Sequence, residues 1–534
     1  GKIYENALEW RFEFPEVLND EGDFVGFDVV IGNPPYIRQE EIKEFKPVLQ
    51  QNYQCYTGTA DLFVYFYELS LQLLKPEGYL TYISSNKYFR ASYGERLRQL
   101  LTNSTTIYNL IDFGDFPVFE EAIAYPTIII LSKIKSDENI IKALSWDKAK
   151  QENIEHFATV LEQDSLTISQ KHLKSDGWRL ESSQILDLLA KIRNVGTPLG
   201  EYVNGRFYRG ILTGFNEAFV VDKATRDRLI DEHPSSAEVL KPFLRGRDVK
   251  RWNVEFAEQY LIKIESSENK KHPWSDQTEK EAEKIFAQTY PAIYKYFSQF
   301  REALIKRSDQ GKFFWELRSC IYWQEFEQPK IIYPDIYEHQ SFAIDRLDFY
   351  SGNTCYFIPT DEMWLCGLLN SQLVEWFYSK ISNSIRGGYL RAFSDYIKQI
   401  PIPTTTEAER KVIETLVEYV LYLSTEIKNI TTQGKGLDES STDKVMKEYF
   451  AKVINSLVYE LYLPEELHQS KIYLMRYLSE LNLPSLEKMK GDKIPFLREI
   501  FNKLFNKYHP LAKNMFLLDS IEAIRIIEGK KSPS

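Results

Sequence analysis

Short apolar runs alternate with helical patterns up to about residue 133. Residues 27–31 form an apolar run that predicts a buried strand. Residues 32–36 predict a turn, because two adjacent prolines cannot continue a ladder of hydrogen bonds. Apolar residues at helical spacing predict a helix over 61–74. The same reasoning predicts strands at 79–83, 107–113 and 127–131 and a helix at 93–101. Strands that alternate with helices predict a largely parallel α/β sheet.

The remaining three stretches differ in pattern. Residues 136–195 are polar with helical spacing, which predicts a helical connector. Residues 196–403 are richer in glycine, aromatic and β-branched residues, which predicts an α+β domain. Apolar stripes beyond residue 403 predict helices, with a Gly/Ser/Thr-rich linker at 431–443. The predicted division is 1–135, 136–195, 196–403 and 404–534.

Composition places the chain among folded proteins without a membrane span. Of 534 residues, 43% are hydrophobic and 27% are charged, which is ordinary globular usage. No run approaches the roughly 18 apolar residues of a membrane helix, and the first residues lack the pattern of a signal peptide. We therefore expect a cytoplasmic protein. The four cysteines are scattered without a C-x-x-C pair, so we expect no metal site.

A set of motifs follows the predicted first strand in a fixed order. Asn33, Pro34, Pro35 and Tyr36 come first, and segments 74–80 and 83–88 come next. The run that ends at Phe119 precedes the isoleucine-rich strand. This order resembles amino-methyltransferases, in particular DNA adenine-N6 methyltransferases of the gamma class. Taken alone, the four-residue match is equally explained by an ordinary Pro-Pro turn.

Two further regions extend the resemblance. Residues 10–18 resemble the segment before the catalytic turn in long type IIG restriction-modification polypeptides, and residues 205–252 resemble their C-terminal specificity domain. Segments 368–371, 386–389 and 400–403 resemble the end of such a target-recognition domain. The resemblance implies the rear part of a Rossmann-like methyltransferase sheet, followed by an α+β target-recognition domain and a helical C-terminal domain.

The implied reaction transfers a methyl group from S-adenosylmethionine to the exocyclic N6 of an adenine flipped out of double-stranded DNA. An amino group inside a duplex cannot be reached, so such an enzyme extrudes the base and stacks it on aromatic faces. The resemblance gives this stacking role to Tyr36 and Phe119. The resemblance also implies that the Asn33 side chain and the Pro34 carbonyl accept the two N–H bonds of the adenine amine. Pro35 belongs to the same catalytic turn. For Phe119 the alternative is a core phenylalanine.

The sequence departs from this family at its start. In gamma-class enzymes the glycine-rich loop and the acidic residue that bind the cofactor lie upstream of the Asn-Pro-Pro-Tyr turn. Only 32 residues precede Asn33 here, too few for two βα units. We therefore expect the cofactor residues, and any DNA-cleaving domain, in an absent N-terminal portion, and no activity from this chain alone. Asp28 is the one candidate neighbour of the cofactor. Residues 433–436 are interpreted as linker rather than as a cofactor loop.

Charge suggests where DNA would bind. The formal net charge of −11 excludes a wholly basic nucleic-acid binder, yet 241–251 holds five basic residues and one acid. Residues 380–398 hold four basic residues and one acid. Such islands suit phosphate contacts, although each arginine could equally belong to a solvated face with ordinary salt bridges. The candidate DNA-binding residues are Arg206, Arg209, Arg245, Arg247, Lys250, Arg386 and Arg391.

Two other functions remain open from the sequence. One is a DNA-binding specificity module whose methyltransferase remnant is inactive. The other is a methyltransferase that acts on a protein glutamine or on RNA, because that chemistry also uses an Asn-Pro-Pro-Tyr turn. The long downstream recognition region favours DNA. A nuclease match at Pro334-Asp335 and Glu338-His339 is rejected, because Gln340 stands where a lysine is needed.

Overall fold

The first part of the chain is built on a mixed sheet. We describe it from a computed structural model that covers residues 8–119, 125–147, 151–382, 389–432 and 437–530. Its strands are β1 (Phe27–Gly32), β2 (Leu74–Ser85), β3 (Thr106–Asp112), β4 (Pro126–Ser132), β5 (Ile140–Ser145) and β6 (Leu166–Ser169). Its helices are α1 (Trp10–Glu13), α2 (Lys46–Asn52), α3 (Phe63–Leu73), α4 (Glu95–Ser104), α5 (Phe157–Gln163) and α6 (Ser183–Arg193). Contacts divide the chain into two units, Gly1–Ala190 and Lys191–Ser534.

The strand order in this sheet is β1-β2-β4-β3-β5-β6. β1 pairs in parallel with β2, and β3 with β5, whereas β4 runs antiparallel to both β2 and β3. The predicted strands and helices up to residue 133 are confirmed in type, and the α/β fold class is confirmed. The prediction of a largely parallel sheet was wrong, because three of the five strand pairings in this sheet are antiparallel. Since β1, β2 and β3 run in one direction, their carboxyl ends lie at the same edge of the sheet.

The first strand is an edge strand, so its prediction as a buried strand was wrong. Among the described residues only β2 lies beside β1, and the side chains of Val29 and Ile31 remain 57% and 78% exposed. Gly26 starts the strand at φ +94°, where a Cβ atom would lie 2.7 Å from the Leu73 carbonyl oxygen. Only glycine fits this close approach.

The sequence predicts a helical connector over residues 136–195, but the structure shows that this stretch also contains strands β5 and β6. Both join the sheet, β5 beside β3 and β6 antiparallel to β5. The short apolar runs in this stretch are buried: Ile141 and Ile168 have no exposed surface. The sequence pattern missed these strands because their polar neighbours dilute the apolar signal. The predicted domain boundaries stay predictions.

The second unit begins with short strands and helices that surround an aromatic core. The strands are β7 (Gly196–Pro198), β8 (Tyr208–Arg209), β9 (Val220–Asp222), β10 (Leu240–Leu244), β11 (Gln259–Ile262), β12 (Lys330–Pro334), β13 (Ile336–Tyr337), β14 (Ala343–Asp345), β15 (Tyr350–Ser351), β16 (Cys355–Ile358), β17 (Leu390–Arg391) and β18 (Pro401–Pro403). The helices are α7 (Leu199–Tyr202), α8 (Asn216–Phe219), α9 (Lys223–Glu232), α10 (Ser236–Val239), α11 (Glu279–Thr289), α12 (Pro291–Ser298), α13 (Arg301–Lys306), α14 (Met363–Leu369), α15 (Gln372–Ile381) and α16 (Ser394–Ile397).

Two four-stranded sheets organise this region, in the orders β15-β10-β11-β9 and β14-β12-β16-β8. Both contribute to one apolar core, in which Trp315 stacks on Phe286 with ring centroids 5.0 Å apart. β12 lies between β14 and β16, and all five of its residues are buried. Its last residues therefore have a fixed position at the end of the sheet.

A buried ion pair holds β12 against β14. The Lys330 ammonium lies 2.7 Å from the Asp345 carboxylate, and both side chains are fully buried. Lys330 also donates to the Phe326 carbonyl, while Asp345 accepts from the backbone N–H groups of Leu347 and Phe349. Both charges therefore have the additional hydrogen bonds that burial requires.

The chain ends in helices, as predicted. They are α17 (Glu407–Thr432), α18 (Leu437–Tyr462), α19 (Pro464–Gln469), α20 (Met475–Leu481), α21 (Ile494–Phe505), α22 (Pro510–Leu517) and α23 (Glu522–Ile527). The predicted linker at 431–443 was too long, because α18 begins at Leu437; residues 433–436 lie outside the described residues. None of the helices in the described part of the chain is both long and apolar enough to cross a membrane.

We predict that Lys330→Ala destabilises the second unit. The change leaves the Asp345 carboxylate buried without its partner, which costs about 3–5 kcal/mol in the free energy of unfolding. Urea denaturation followed by tryptophan fluorescence measures the loss. Lys284→Ala is the control, since its ion pair with Glu281 is solvent-exposed and its loss should leave the transition nearly unchanged. Equal shifts in the two variants would contradict the prediction.

Candidate functional site

The turn Asn33-Pro34-Pro35-Tyr36 directly follows β1 at the carboxyl edge of the sheet. The two prolines restrict its backbone. Beyond the turn, the Ile37 carbonyl accepts from the Leu62 N–H at 3.0 Å, which ties this chain segment to the start of α3. Pro34 is buried, whereas Asn33 and Tyr36 are exposed. The turn therefore presents its polar groups at a fixed place on the surface of the unit.

Two hydrogen-bond acceptors of this turn are unused. Among the described residues, none donates a hydrogen bond to the Asn33 side-chain oxygen or to the Pro34 carbonyl oxygen. An amide side chain and a carbonyl on adjacent residues can accept both N–H bonds of one amino group. Both acceptors are therefore available to a donor from solvent or from a ligand.

Tyr36 and Phe119 lie together beside these acceptors. Their ring centroids are 6.5 Å apart and their planes are inclined by 68°, an edge-to-face contact. Partial burial raises the pKa of the Tyr36 phenol above its ordinary value, so the ring is neutral at pH 7. Phe119 is half-buried rather than in the core. The structure thus brings together the residues that the motif order singled out at 33–36 and 119.

Asn86 fixes both ends of the segment that carries Phe119. Its side-chain amide donates to the Asp112 carboxylate at 2.8 Å, at the end of β3. Its backbone N–H donates to the Tyr125 carbonyl at 2.7 Å, just before β4. Asp112 also accepts from the Gly114 N–H at 2.9 Å. The sequence analysis gave no role to Asn86, although it lies in the motif segment 83–88, or to Asp112. In the structure Asn86 directly follows β2 and Asp112 ends β3.

Asp28 is not at this turn. It lies near the other end of β1, where its carboxylate pairs with the Lys75 ammonium at 2.9 Å. It lies five positions before Asn33 along the extended strand, so the two Cα atoms are about 16 Å apart. Its role as a neighbour of a cofactor stays a prediction.

A cleft of about 670 Å³ opens in the second unit, beside the end of β12. Basic, acidic and amide side chains share its walls with apolar groups. Its lining includes Asn216, Phe243, Arg245, Arg247, Lys250, Asp335, Tyr337, Glu338, His339, Ser341, Asn353 and Thr354. Both the segment 245–250 and the residues that follow β12 contribute to its lining.

Five of the seven predicted DNA-binding residues lie in the cleft or at its border, and they form three groups. Arg247 and Lys250 line the cleft and are exposed. Arg245 also lines it, but its guanidinium makes two hydrogen bonds of 3.0 Å to the Asp248 carboxylate. Arg209 and Arg391 lie at its border: Arg209 donates to the Asn353 carbonyl at 3.0 Å, and Arg391 pairs with Ile336 across β13 and β17.

Two candidates do not join this group. Arg206 lies apart from the cleft lining and pairs with Glu325 at 2.8 Å. Arg386 lies outside the described residues. The sequence analysis also missed Asp335 and Asn353 as cleft residues. The residue types Asp and Asn near the end of a strand do not predict which surface of the protein their side chains face.

Two stretches of the chain match known protein families. Residues 2–119 match the Eco57I restriction-modification methylase family, and residues 241–402 match the TaqI-like C-terminal specificity domain. The match to a restriction-modification methylase thus precedes the match to a specificity domain along the chain. The resemblance found in the motif order is therefore confirmed. The turn, Tyr36, Asn86 and Phe119 all lie in the methylase segment, and the cleft lies in the specificity domain except for Asn216.

Relatives match over most of the chain. The type II methyltransferase M.BstVI of Geobacillus stearothermophilus is 24% identical, over 78% of this chain and 75% of its own length. M.PaeR7I of Pseudomonas aeruginosa, also a type II methyltransferase, is 26% identical, over 74% of this chain and 69% of its own length.

Among solved structures, the type IIL restriction-modification enzyme MmeI, determined in complex with DNA, has a similar fold. Its TM-score is 0.52 at 16% sequence identity, and the match covers 93% of this chain. The chain spans only 58% of the length of MmeI. At this identity the likeness concerns the fold, which agrees with the predicted succession of a methyltransferase sheet, an α+β domain and a helical region.

We predict that Asn86→Ala loosens the segment that carries Phe119. The variant loses the hydrogen bond to Asp112, a net contribution of about 1 kcal/mol, so amide hydrogens at 113–119 should exchange faster. Hydrogen exchange followed by mass spectrometry measures the rates. Asn103→Ala, an exposed change on α4, should leave this segment unchanged. Unaltered exchange at 113–119 in Asn86→Ala would show that the bond does not hold the segment.

Proposed function

We propose that this chain is the acceptor-base and DNA-recognition part of a DNA methyltransferase that methylates the exocyclic N6 of adenine. The observation that carries the proposal is the turn at 33–36, whose Asn33 side-chain oxygen and Pro34 carbonyl are unused acceptors beside an aromatic pair. The match of residues 2–119 to a restriction-modification methylase family supports DNA as the substrate. The specificity domain supports sequence-dependent binding.

The acceptor geometry accounts for activation of a poor nucleophile. The lone pair of an exocyclic amine is delocalised into the purine ring. When the Asn33 side-chain oxygen and the Pro34 carbonyl accept its two N–H bonds, a more tetrahedral nitrogen is favoured and its lone pair becomes available. The attack then requires no general base beforehand.

The aromatic pair suits a flipped base. A base between two rings needs ring planes about 7 Å apart, twice the usual contact distance of about 3.5 Å. The Tyr36 and Phe119 centroids are already 6.5 Å apart, but their planes are inclined by 68°. Rotation of one ring would therefore replace the edge-to-face contact by stacking on the base, which offsets the cost of extruding it.

S-adenosylmethionine would supply the methyl group, as the methylase family implies. Among the described residues no strand lies on the outer side of β1, so its outer backbone edge is open to pairing with a further strand that would carry a binding loop. Val29 and Ile31 point to one face of the sheet and are 57% and 78% exposed, so that face is open to a covering element. We infer that a preceding portion of the enzyme pairs with β1 and carries the cofactor residues, so that this chain alone is inactive.

The cleft would bind the DNA duplex. Arg247 and Lys250 are exposed for phosphate contacts, with Arg209 and Arg391 at the border. The contribution of Arg245 is reduced, because Asp248 already occupies its guanidinium. Such a cleft concentrates positive charge locally in a chain of net charge −11.

We predict that Asn33→Ala abolishes methyl transfer by the chain extended upstream to include the cofactor residues. The loss of one acceptor should lower kcat by roughly 10²- to 10³-fold or more, because the interaction acts mainly in the transition state. Transfer of labelled methyl groups to duplex DNA measures the rate. DNA affinity should stay within about twofold of the unmodified enzyme.

The unextended chain provides the control. It should bind no S-adenosylmethionine in calorimetry and transfer no methyl group, whereas the extended chain should do both. Activity of the unextended chain would contradict the inferred cofactor site. If Asn33→Ala folds normally but loses DNA binding, the catalytic role of Asn33 is wrong.

We predict that Arg247→Ala weakens duplex binding and reduces its dependence on salt. One phosphate contact fewer should lower the slope of log affinity against log salt by about 1. Fluorescence anisotropy over a salt series measures it. Arg206→Ala is the matched control, since Arg206 pairs with Glu325 away from the cleft lining and should change neither quantity. The same slope in Arg247→Ala as in the unmodified chain would exclude the cleft as the phosphate-binding surface.

A further inference from the structure

Asp335 is an acidic residue on the wall of a basic cleft. It directly follows β12, and its backbone is fixed on both sides. Its N–H donates to the Thr354 carbonyl at 2.9 Å, and its carbonyl accepts from the Ala392 N–H at 2.8 Å. The carboxylate therefore has a defined position among the cleft residues.

No described side chain occupies this carboxylate. Within the described part of the chain, no side chain forms an ion pair or a hydrogen bond with it, and its hydrogen-bonding interactions are with the backbone N–H groups of Asp335 and Ile336. Asp248 shows the contrast, because its carboxylate is fully occupied by Arg245. Partial burial raises the pKa of the Asp335 carboxyl, and the charges of Arg391 and Arg209 and the backbone hydrogen bonds oppose that rise. A carboxylate has about four lone-pair sites, so it keeps the capacity to accept a donor from a ligand.

Phosphate cannot be that ligand, because two anions repel each other. In a DNA duplex the donors that face a protein in the major groove are the amino groups of cytosine and adenine. Adenine presents its N7 acceptor beside the amino group, and this lone pair repels the second carboxylate oxygen. Guanine and thymine present acceptors at this place. Cytosine presents the N4 amino group without a neighbouring acceptor, so a carboxylate favours cytosine.

We propose that Asp335 reads a cytosine of the recognition sequence by accepting a hydrogen bond from its N4 amino group. This inference rests on the proposed function, in which the cleft binds duplex DNA. Arg247 and Lys250, which line the same cleft, then hold the phosphates, while Asp335 contributes specificity rather than affinity. Its negative charge reduces binding to every sequence that lacks a donor at that position.

Selection from a randomised duplex library tests the proposal. The unmodified chain should enrich a motif that contains a cytosine. Asp335→Asn should keep the rest of the motif but lose the preference at that one position by roughly tenfold, or shift it to adenine, because an amide matches the adenine N6 and N7 pair. Asp231→Asn makes the same chemical change at an exposed site on α9 and should leave the motif unchanged.

A second measurement tests the amino group itself. In the selected duplex, replacing that cytosine by an analogue without the 4-amino group should weaken binding by the unmodified chain roughly tenfold. Binding by Asp335→Asn should change by less than about threefold, because its contact with that amino group is already altered. Thermal unfolding checks that the variant is folded.

The outcomes separate the two proposals. An enriched motif that is identical for the unmodified chain and Asp335→Asn overturns base reading by Asp335 and leaves DNA recognition by the cleft intact. Loss of every position of the motif in a folded Asp335→Asn also overturns it, since that result indicates a general role in shaping the cleft. If the unmodified chain enriches no motif, the proposed function fails, and the role of Asp335 fails with it.

Discussion

The recognition region depends on one buried ion pair. Lys330 and Asp345 have no exposed surface, and each satisfies backbone groups in addition to its partner. The pair sets the register of β12 against β14, and a shift of one residue would turn every side chain of β12 to the opposite face. Asp335, which follows the last residue of β12, would then leave the cleft. Burying the charges of Lys330 and Asp345 costs free energy, and the pair is consistent with a role in specifying one register of β12 against β14.

The methylase segment positions its candidate site through a restricted turn and hydrogen bonds at strand ends. Asn33 to Tyr36 follow a strand end, the two prolines restrict the turn, and Asn86 ties the Phe119 segment to the ends of β3 and β4. In both units the candidate functional groups lie just beyond the ends of paired strands, where the sheet fixes the backbone and the side chains still reach solvent. This arrangement reconciles rigid positioning with access for a large substrate.

The first strand shows what an apolar run does not predict. The run at 27–31 predicts a strand covered on both faces, but only one face of β1 is covered. Val30 packs against the apolar core, whereas Val29 and Ile31 point to the other face and are 57% and 78% exposed. An outer strand is normally protected by charge, a bulge or a covering element, and among the described residues the Asp28 to Lys75 pair protects only the beginning of β1. An apolar run therefore predicts a strand without predicting whether both of its faces are covered.

The sequence alone determined the order of the motifs, the α/β class of the first part, and the residues at 33–36 and 119 as a candidate site. Those features depend on local rules, because proline stops a ladder and apolar spacing distinguishes strands from helices. Tertiary structure decided which of the basic residues share a surface: Arg247 and Lys250 line the cleft, Arg245 is occupied by Asp248, and Arg206 pairs with Glu325 elsewhere. It also decided that β5 and β6 join the sheet and that Asp335 and Arg247 line the same cleft. These outcomes depend on contacts between residues far apart in the chain, and no local pattern encodes which of the available partners a charged side chain meets.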